Sequence, residues 1–574
     1  MNRQEDSGTT VEPGSVWRNP KLHVILADGR TMQCEPGTAV GSLAPVSAPE
    51  SGLPYLGALV NHDECSLSYP LSVNCRIRFL TVADPHGWRI GRRSLCFLLA
   101  KTVRSLFPDV RFSIDHSFGV GLYCTFDSDA ARKAHPGSDP LRRLDAGLRA
   151  LIDRNVPIER RKVAYADAMR EFELSGQTDK LNLLRHRNPP HVVVHWCEEF
   201  SDLAHGALAT ATGALPPFEL IPYPPGFVLH VGRHERAGAL EPFEDQPHLF
   251  RIFQEHRLWG KILGLHRVGR LNELILKRKM GRFVEIAEAL HEKKISRIAD
   301  RIHTAREPVG LILIAGPSCA GKTTFSKRLT TQLTVNGIEP HTISVDNYFV
   351  GEERNPLDEH GRPDYEHIEA VDIDLFNEHL LALLRGAEVK LPRFDFTKKK
   401  QEYRGETMRI GPGQPLIVEG IHALNPQLTP RVPDERKFRI YVSALTQLSL
   451  DVHNRLSTTD NRLMRRIVRD NFYRGYSALD TLRRWPSVRQ GEKRWIFPFQ
   501  READATFNSA LDYELAVLKG LVEPLLAQIK PTEPEYAEAR RLSEFLLNFL
   551  PASDRHVPTT SILREYIGGS TLEY

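Results

Sequence analysis

Ala315-Gly-Pro-Ser-Cys-Ala-Gly-Lys-Thr-Thr324 is the stretch on which the fold turns. Gly316, Gly321, Lys322 and Thr323 fit the spacing G-x-x-x-x-G-K-[ST] of a phosphate loop. Leu311-Ile312-Leu313-Ile314 before it is a short apolar run, as expected of a strand covered on both faces. After it, Phe325, Leu329 and Leu333 recur at helical spacing, and Asn336-Gly337 supplies a stop. Strand, glycine turn and helix start would gather backbone N–H groups and a helix dipole around a polyphosphate. The candidate cradle is therefore Gly316, Pro317, Ser318, Cys319, Ala320, Gly321, Lys322, Thr323 and Thr324. Lys322 would reach the terminal phosphates, and the Thr323 hydroxyl would take Mg²⁺.

Two acids belong with this loop by their place in the chain. The strand-like Thr342-Ile343-Ser344-Val345 runs into Asp346, and Gln414–Ile421 contains a second apolar run ending at Glu419. In an open parallel sheet, ligands lie beyond the carboxyl ends of the strands, so both carboxylates are expected beside the phosphates. Asp346 could take a proton from an alcohol, and Glu419 could hold the metal.

Composition narrows the rest. A chain of 574 residues should hold several domains. Lys and Arg total 76 against 72 Asp and Glu, so no general affinity for nucleic acid or membrane follows. The seven cysteines show no C-x-x-C spacing, which suits reduced thiols in a cytoplasm better than disulfides or zinc. The first ten residues lack the apolar core of a signal peptide, and no apolar run approaches membrane-spanning length. A soluble cytoplasmic protein is expected.

Residues 1–18 read as a disordered lead. From Leu22 two strand-like runs flank Asp28-Gly29, followed by Ala58–Asn61, Leu67–Leu71 and Cys75–Leu80. This order of segments over 19–83 resembles the TGS domain, the ubiquitin-like β-grasp module at the front of threonyl-tRNA synthetases. Residues 84–236, with Arg92–Ala100, Leu106–Asp109 and Gly121–Tyr123, resemble the α+β editing domain of the same synthetases. There the family carries two histidines four apart and a later Cys-x-x-x-His. The matching positions here are Arg93, Phe97, Ala204 and Leu208, which leave the hydrolytic chemistry without its ligands. Asp202 and His205 remain and read as a surface pair or a capped loop. Residues 237–304 form a connector with helical periodicity at Phe283, Ile286, Leu290, Ile295, Ile298 and Ile302, its Lys and Arg on a solvated face.

Residues 305–574 resemble the uridine kinase and phosphoribulokinase family. The resemblance rests on Val345–Phe349, Tyr365–Asp372, Pro392–Phe396, Glu419–Leu424 and Asn461–Asp470, in that order after the phosphate loop. It implies ATP and Mg²⁺ as cofactors and Asp372 as a ribose contact. It also implies an acceptor pocket from Asp346, Phe349, Phe394, Phe396 and Lys399, and a lid bearing Arg466 and Arg469. Uridine–cytidine kinases have Tyr where Phe394 stands and His where Lys399 stands, so pyrimidine recognition is weakened. The expected architecture is multidomain α/β and α+β: a β-grasp module, an editing-like domain, a helical connector and a P-loop kinase domain with a parallel sheet. The implied activity is Mg·ATP-dependent phosphorylation of a primary hydroxyl, foremost the 5′-OH of a nucleoside. Another small alcohol, such as a pentose phosphate or a pantothenate-like compound, and an RNA-binding regulatory NTPase stay open. A small-molecule partner is expected and no membrane; RNA and an oligomer are left open.

Overall fold

The computed structural model describes residues 21–573, apart from 46–47, 49–50, 136, 138, 188, 306–308, 359–360 and 396–397. The lead expected at 1–18 and the candidate Phe396 lie outside the described residues.

The first module is a five-stranded mixed sheet. Leu22–Leu26 pairs antiparallel with Thr31–Cys34 and parallel with Cys75–Leu80, which in turn pairs antiparallel with Gly57–Val60, and Asp63–Cys65 closes the far edge. This is the β-grasp arrangement. Leu67–Leu71, expected as a strand, forms a turn leading to a single bridge between Ala39 and Pro70. Backbone bonds still flank the bridge, from the Val40 N–H to the Tyr69 carbonyl at 3.0 Å and from the Leu71 N–H to the Thr38 carbonyl at 2.9 Å, so Pro70 sits where no N–H is called for.

The second region places the helix Pro85–Leu106 against a four-stranded sheet containing Phe112–Phe118, Gly121–Phe126, Phe218–Tyr223 and Gly226–Val231. A separate three-stranded sheet holds Glu159–Ala164, His191–Cys197 and Phe200–Asp202. The connector is three helices, Pro247–Leu263, Val268–Leu276 and Met280–His303. On the last, the buried stripe runs through Phe283, Val284, Ala287, Glu288, His291 and Ile295, while Ile286 and Leu290 are only half-buried. Glu288 is drawn inward because Arg328, Tyr513 and Ser561 all bond it. Lys277, Arg278, Lys279, Arg282, Lys293 and Arg297 are exposed, as the solvated-face reading expects, whereas Lys294 is half-buried and pairs with Glu255 at 2.8 Å.

The third region is built on a five-stranded parallel sheet. Its spatial order is His341–Ser344, Leu416–Glu419, Leu311–Ala315, Lys437–Ser443 and Ala505–Asn508. Both faces are covered, as parallel sheets require. Ile312 and Ile314 pack with Phe325, Leu329 and Leu333 of the helix Lys322–Val335. Leu311, Leu313 and Ala315 point the other way, toward Tyr348, Phe376 and Leu380. Period-two alternation within one continuous apolar strand thus serves two cores. All seven cysteines are free thiols. Among the described residues no helix is long and apolar enough to cross a membrane.

Candidate active site

Strand register gathers the site. Glu419 lies opposite Ile314 on one side and Ser344 on the other. The phosphate loop leaves the first neighbour at Gly316, and Asp346 follows the second by two residues in a 3-10 turn, Val345–Tyr348. Three strand ends therefore present Lys322 and Thr323, Asp346 and Glu419 at one edge of the sheet.

The loop conformation explains its residues. A Cβ on Gly316 would run into the Val442 carbonyl oxygen of the adjacent strand. Cys319 and Gly321 both hold left-handed backbone, with φ of 58° and 80°, so the chain curls before the helix begins at Lys322. Gly321 carries that conformation at no steric penalty, whereas at Cys319 the surroundings must hold it. They do: Arg465 donates to the Cys319 carbonyl at 3.3 Å, and Arg462 Nε donates to the Ser318 carbonyl at 3.0 Å.

Charge in the cleft is poorly compensated. The Thr323 hydroxyl donates to Glu419 Oε2 at 3.3 Å. Burial pushes the Glu419 carboxyl up to about 7, and the neighbouring Asp346 and Glu565 charges add to this while Lys322 opposes it. Burial likewise pushes Glu366 up to about 7, against the pull of Arg466 and Lys322, and its Oε2 has no hydrogen-bond partner among the described residues. Buried carboxylates left short of positive charge mark a place where a cation or proton is missing. Paired hydroxyl and carboxylate oxygens suit Mg²⁺, which keeps water and phosphate oxygens as its other ligands. No group of three or more His, Cys, Asp or Glu able to hold a metal occurs among the described residues.

The lid helix, Thr458–Arg474, rests on the loop rather than standing off it. Arg466 Nη1 donates to Ser318 Oγ at 3.0 Å, while its Nε donates to Asp470 Oδ2 at 3.1 Å. Arg469 donates to Asp470 Oδ1 at 2.8 and 3.1 Å. Asp470, the last residue of the Asn461–Asp470 motif, aims both candidate arginines. Arg462 and Arg465 are buried in ion pairs with Glu492 and Glu514 and serve the helix's packing. Helical spacing put Arg462 on one face with Arg466 and Arg469, but only tertiary packing separates the structural arginines from those at the cleft.

The acceptor candidates are split. Phe349 and Phe394 stack edge-on at 5.7 Å, with Tyr365 at 5.7 and 6.1 Å from them, forming an aromatic wall. Asp372 accepts from the Leu375 N–H as the cap of the helix Ile373–Leu384 and sits 3.5 Å from Arg354. Lys399 is held by Glu352 at 2.6 Å. Tyr365 and Glu366 belong to the Tyr365–Asp372 motif, but nothing in the sequence marks Glu366, since a lone acid says nothing of its burial.

The editing-like positions are closed. Phe97, Ala204 and Leu208 are buried in one apolar cluster, and Arg93 donates to the Ala207 carbonyl at 2.7 Å and pairs with Glu64. Asp202 and His205 are not the surface pair expected. Asp202 is buried against Lys180 at 3.0 Å and His453 at 2.6 Å, and His205 contacts Asp451 at 3.1 Å. Asp451 and His453 come from the loop just before the lid helix, so that loop supplies the partners of Asp202, His205 and Lys180.

The comparisons agree with this division. Residues 311–516 match the family model described as phosphoribulokinase / uridine kinase family. The N-terminal region matches threonine–tRNA ligases. That of Thermotoga neapolitana is 30% identical over 204 residues, covering 35% of this chain and 30% of the relative. That of a Geobacter species is 26% identical over 201 residues, covering 35% and 31%. The chain thus spans about 30% of the length of these curated relatives. Among solved structures, a protein titled a possible uridine kinase from Bacillus stearothermophilus is 17% identical, with TM-score 0.26, covering 38% of this chain and 98% of that one. The D-glycerate 3-kinase of Cryptococcus neoformans is 13% identical, with TM-score 0.20, covering 46% and 88%. At such scores neither likeness carries an argument.

Proposed function

We propose that the C-terminal region is a Mg·ATP-dependent kinase that phosphorylates a primary hydroxyl, foremost the 5′-OH of a nucleoside. The observation that carries this reading is the registered trio of strand ends, which brings Lys322, Thr323, Asp346 and Glu419 together. Lys322 and the loop amides would hold the β- and γ-phosphates, and Thr323 and Glu419 would hold Mg²⁺. Bound there, Mg²⁺ would neutralise charge developing on the phosphate oxygens. Asp346 would orient the acceptor hydroxyl and take its proton as the alcohol oxygen bonds to the γ-phosphorus and the bond to ADP breaks. Arg466 and Arg469, aimed by Asp470, would face the transferring group. Phe349, Phe394 and Tyr365 would wall the acceptor, and Asp372 would meet its ribose once Arg354 yields.

A second reading, another small alcohol as acceptor, draws on one observation. Lys399 is committed to Glu352 and Phe394 has no hydroxyl, so two expected partners for a pyrimidine edge are missing. In either case the partner is a small molecule, and a cytoplasmic supply of ATP suits the reaction. ATP turnover should be measured with nucleosides, pentose phosphates, pantothenate and, separately, tRNA. Stimulation by a nucleoside supports the first reading and stimulation by another alcohol the second. Stimulation by tRNA alone would overturn both.

A further inference from the structure

The C-terminal segment reaches the phosphate loop from outside the region the family model matches. Glu565 Oε2 accepts from the Thr324 hydroxyl at 2.7 Å and from the Thr324 backbone N–H at 3.4 Å. That N–H belongs to the first turn of the helix Lys322–Val335, where donors have no partner within the helix and point at a bound phosphate. The acid is held there firmly. Ile562, Leu563 and Tyr566 are fully buried, and the Tyr566 ring lies 5.1 Å from the Arg465 guanidinium. The Ser561 hydroxyl donates to Glu288 at 2.5 Å, and Arg564 ties the segment to Asp554 at 2.9 Å. Ile562 presses so near the loop that a Cβ on Gly321 would lie 2.5 Å from its Cγ2.

We propose that this segment is an autoinhibitory clamp, in which the Glu565 carboxylate takes the Thr324 donors that a nucleotide phosphate would use. The inference rests on the phosphate-loop reading above. A phosphate and a carboxylate cannot share those donors: they are few, and two anions a few ångströms apart in a half-buried cleft repel. Nucleotide must therefore displace Glu565, and whatever loosens residues 561–568 tunes the affinity.

The test uses the full chain and a fluorescent ATP analogue with Mg²⁺. Glu565→Gln keeps the shape and an acceptor oxygen for Thr324 but removes the charge, and should bind the analogue about tenfold tighter than wild type. Glu565→Ala should bind at least as tightly as Glu565→Gln. Hydrogen exchange of residues 561–568 should quicken when a non-hydrolysable ATP analogue is added to wild type. Equal or weaker binding by both variants, or greater protection of 561–568 with nucleotide, would overturn the clamp and make Glu565 part of the binding site. Lys322→Ala separates the two levels. Binding that needs Lys322 but ignores Glu565 overturns the clamp alone, whereas binding indifferent to Lys322 overturns the phosphate-loop reading and the clamp with it.

Discussion

Two clefts in this molecule hold buried acids, and they treat them in opposite ways. In the editing-like cleft, burial would raise Asp202 and Asp451, yet Lys180, His205 and His453 hold both below the usual carboxylate range. Lys180, fully buried, also lies 3.5 Å from Asp179, and Asn454 donates to Asp451 at 2.9 and 3.0 Å. Every charge there has found a partner within the protein. At the phosphate loop, burial prevails and Glu419 and Glu366 rise to about 7. A satisfied network is architecture; an unsatisfied one is waiting for a ligand. The first cleft now fastens the front of the chain to the loop before the lid helix, and the second keeps the means for chemistry.

That contrast can be broken most sharply at Asp346. Asp346→Asn should lower kcat by about 10²–10⁴ with nucleotide affinity and thermal midpoint nearly unchanged. Near-normal turnover would remove it from the mechanism. Lys180→Met tests the opposite claim: it removes the shared cation of three buried carboxylates, Asp179, Asp202 and Asp451, and should cost about 3–5 kcal/mol in a denaturant titration. A loss under about 1 kcal/mol, within the range of an exposed pair, would mean the network is not structural.

Arg469→Ala refines the division within the lid helix. It should slow kcat by about 10²-fold and leave acceptor KM nearly alone, because the group acts on charge that develops during transfer. A modest rise in KM with unchanged kcat would instead assign Arg469 to ground-state binding or to the bland helix surface.

A smaller effect is expected with pH. Glu419 and Glu366 bind protons more tightly folded than unfolded, so between pH 4.5 and about 7 the native state holds more protons. The part of the stability owed to these two groups should therefore fall as pH rises through that window, against the opposite slope from His116, His195 and His422, whose buried imidazoles are held well below their ordinary value. Wild type against Glu419→Gln, both without ligand, isolates it: the variant should gain stability relative to wild type as pH rises from 4.5 to about 7, and a difference that stays flat would contradict the Glu419 shift. The smallest effect is a null one. With Phe97, Ala204 and Leu208 buried and Arg93 tied to Ala207, the full chain should not speed hydrolysis of mischarged threonyl-tRNA. Deacylation above the uncatalysed rate would reopen the first cleft.

Local sequence was enough to read the phosphate loop and the elements on either side of it, though not the turn at Leu67–Leu71. The apolar run Leu311–Ile314, the glycines of the loop and the helical spacing after Lys322 each depend on neighbours a few residues away, so a linear reading captures them. The absence of the editing side chains was legible for the same reason: it is a matter of which residue stands where. Tertiary structure decided everything that depends on distant charges meeting. Glu366 and Glu565 gave no signal because an acid's surroundings, not its neighbours in sequence, determine whether it is solvated, paired or stranded. Asp202 and His205 looked like a surface pair until Lys180 and the Asp451–Asn454 loop, some 250 residues away, were brought against them. The arginines of the lid helix share a spacing, yet Arg462 and Arg465 are buried in ion pairs and brace the loop carbonyls, while Arg466 and Arg469 turn to Asp470. Spacing fixes which side chains share a face; only packing fixes what that face meets.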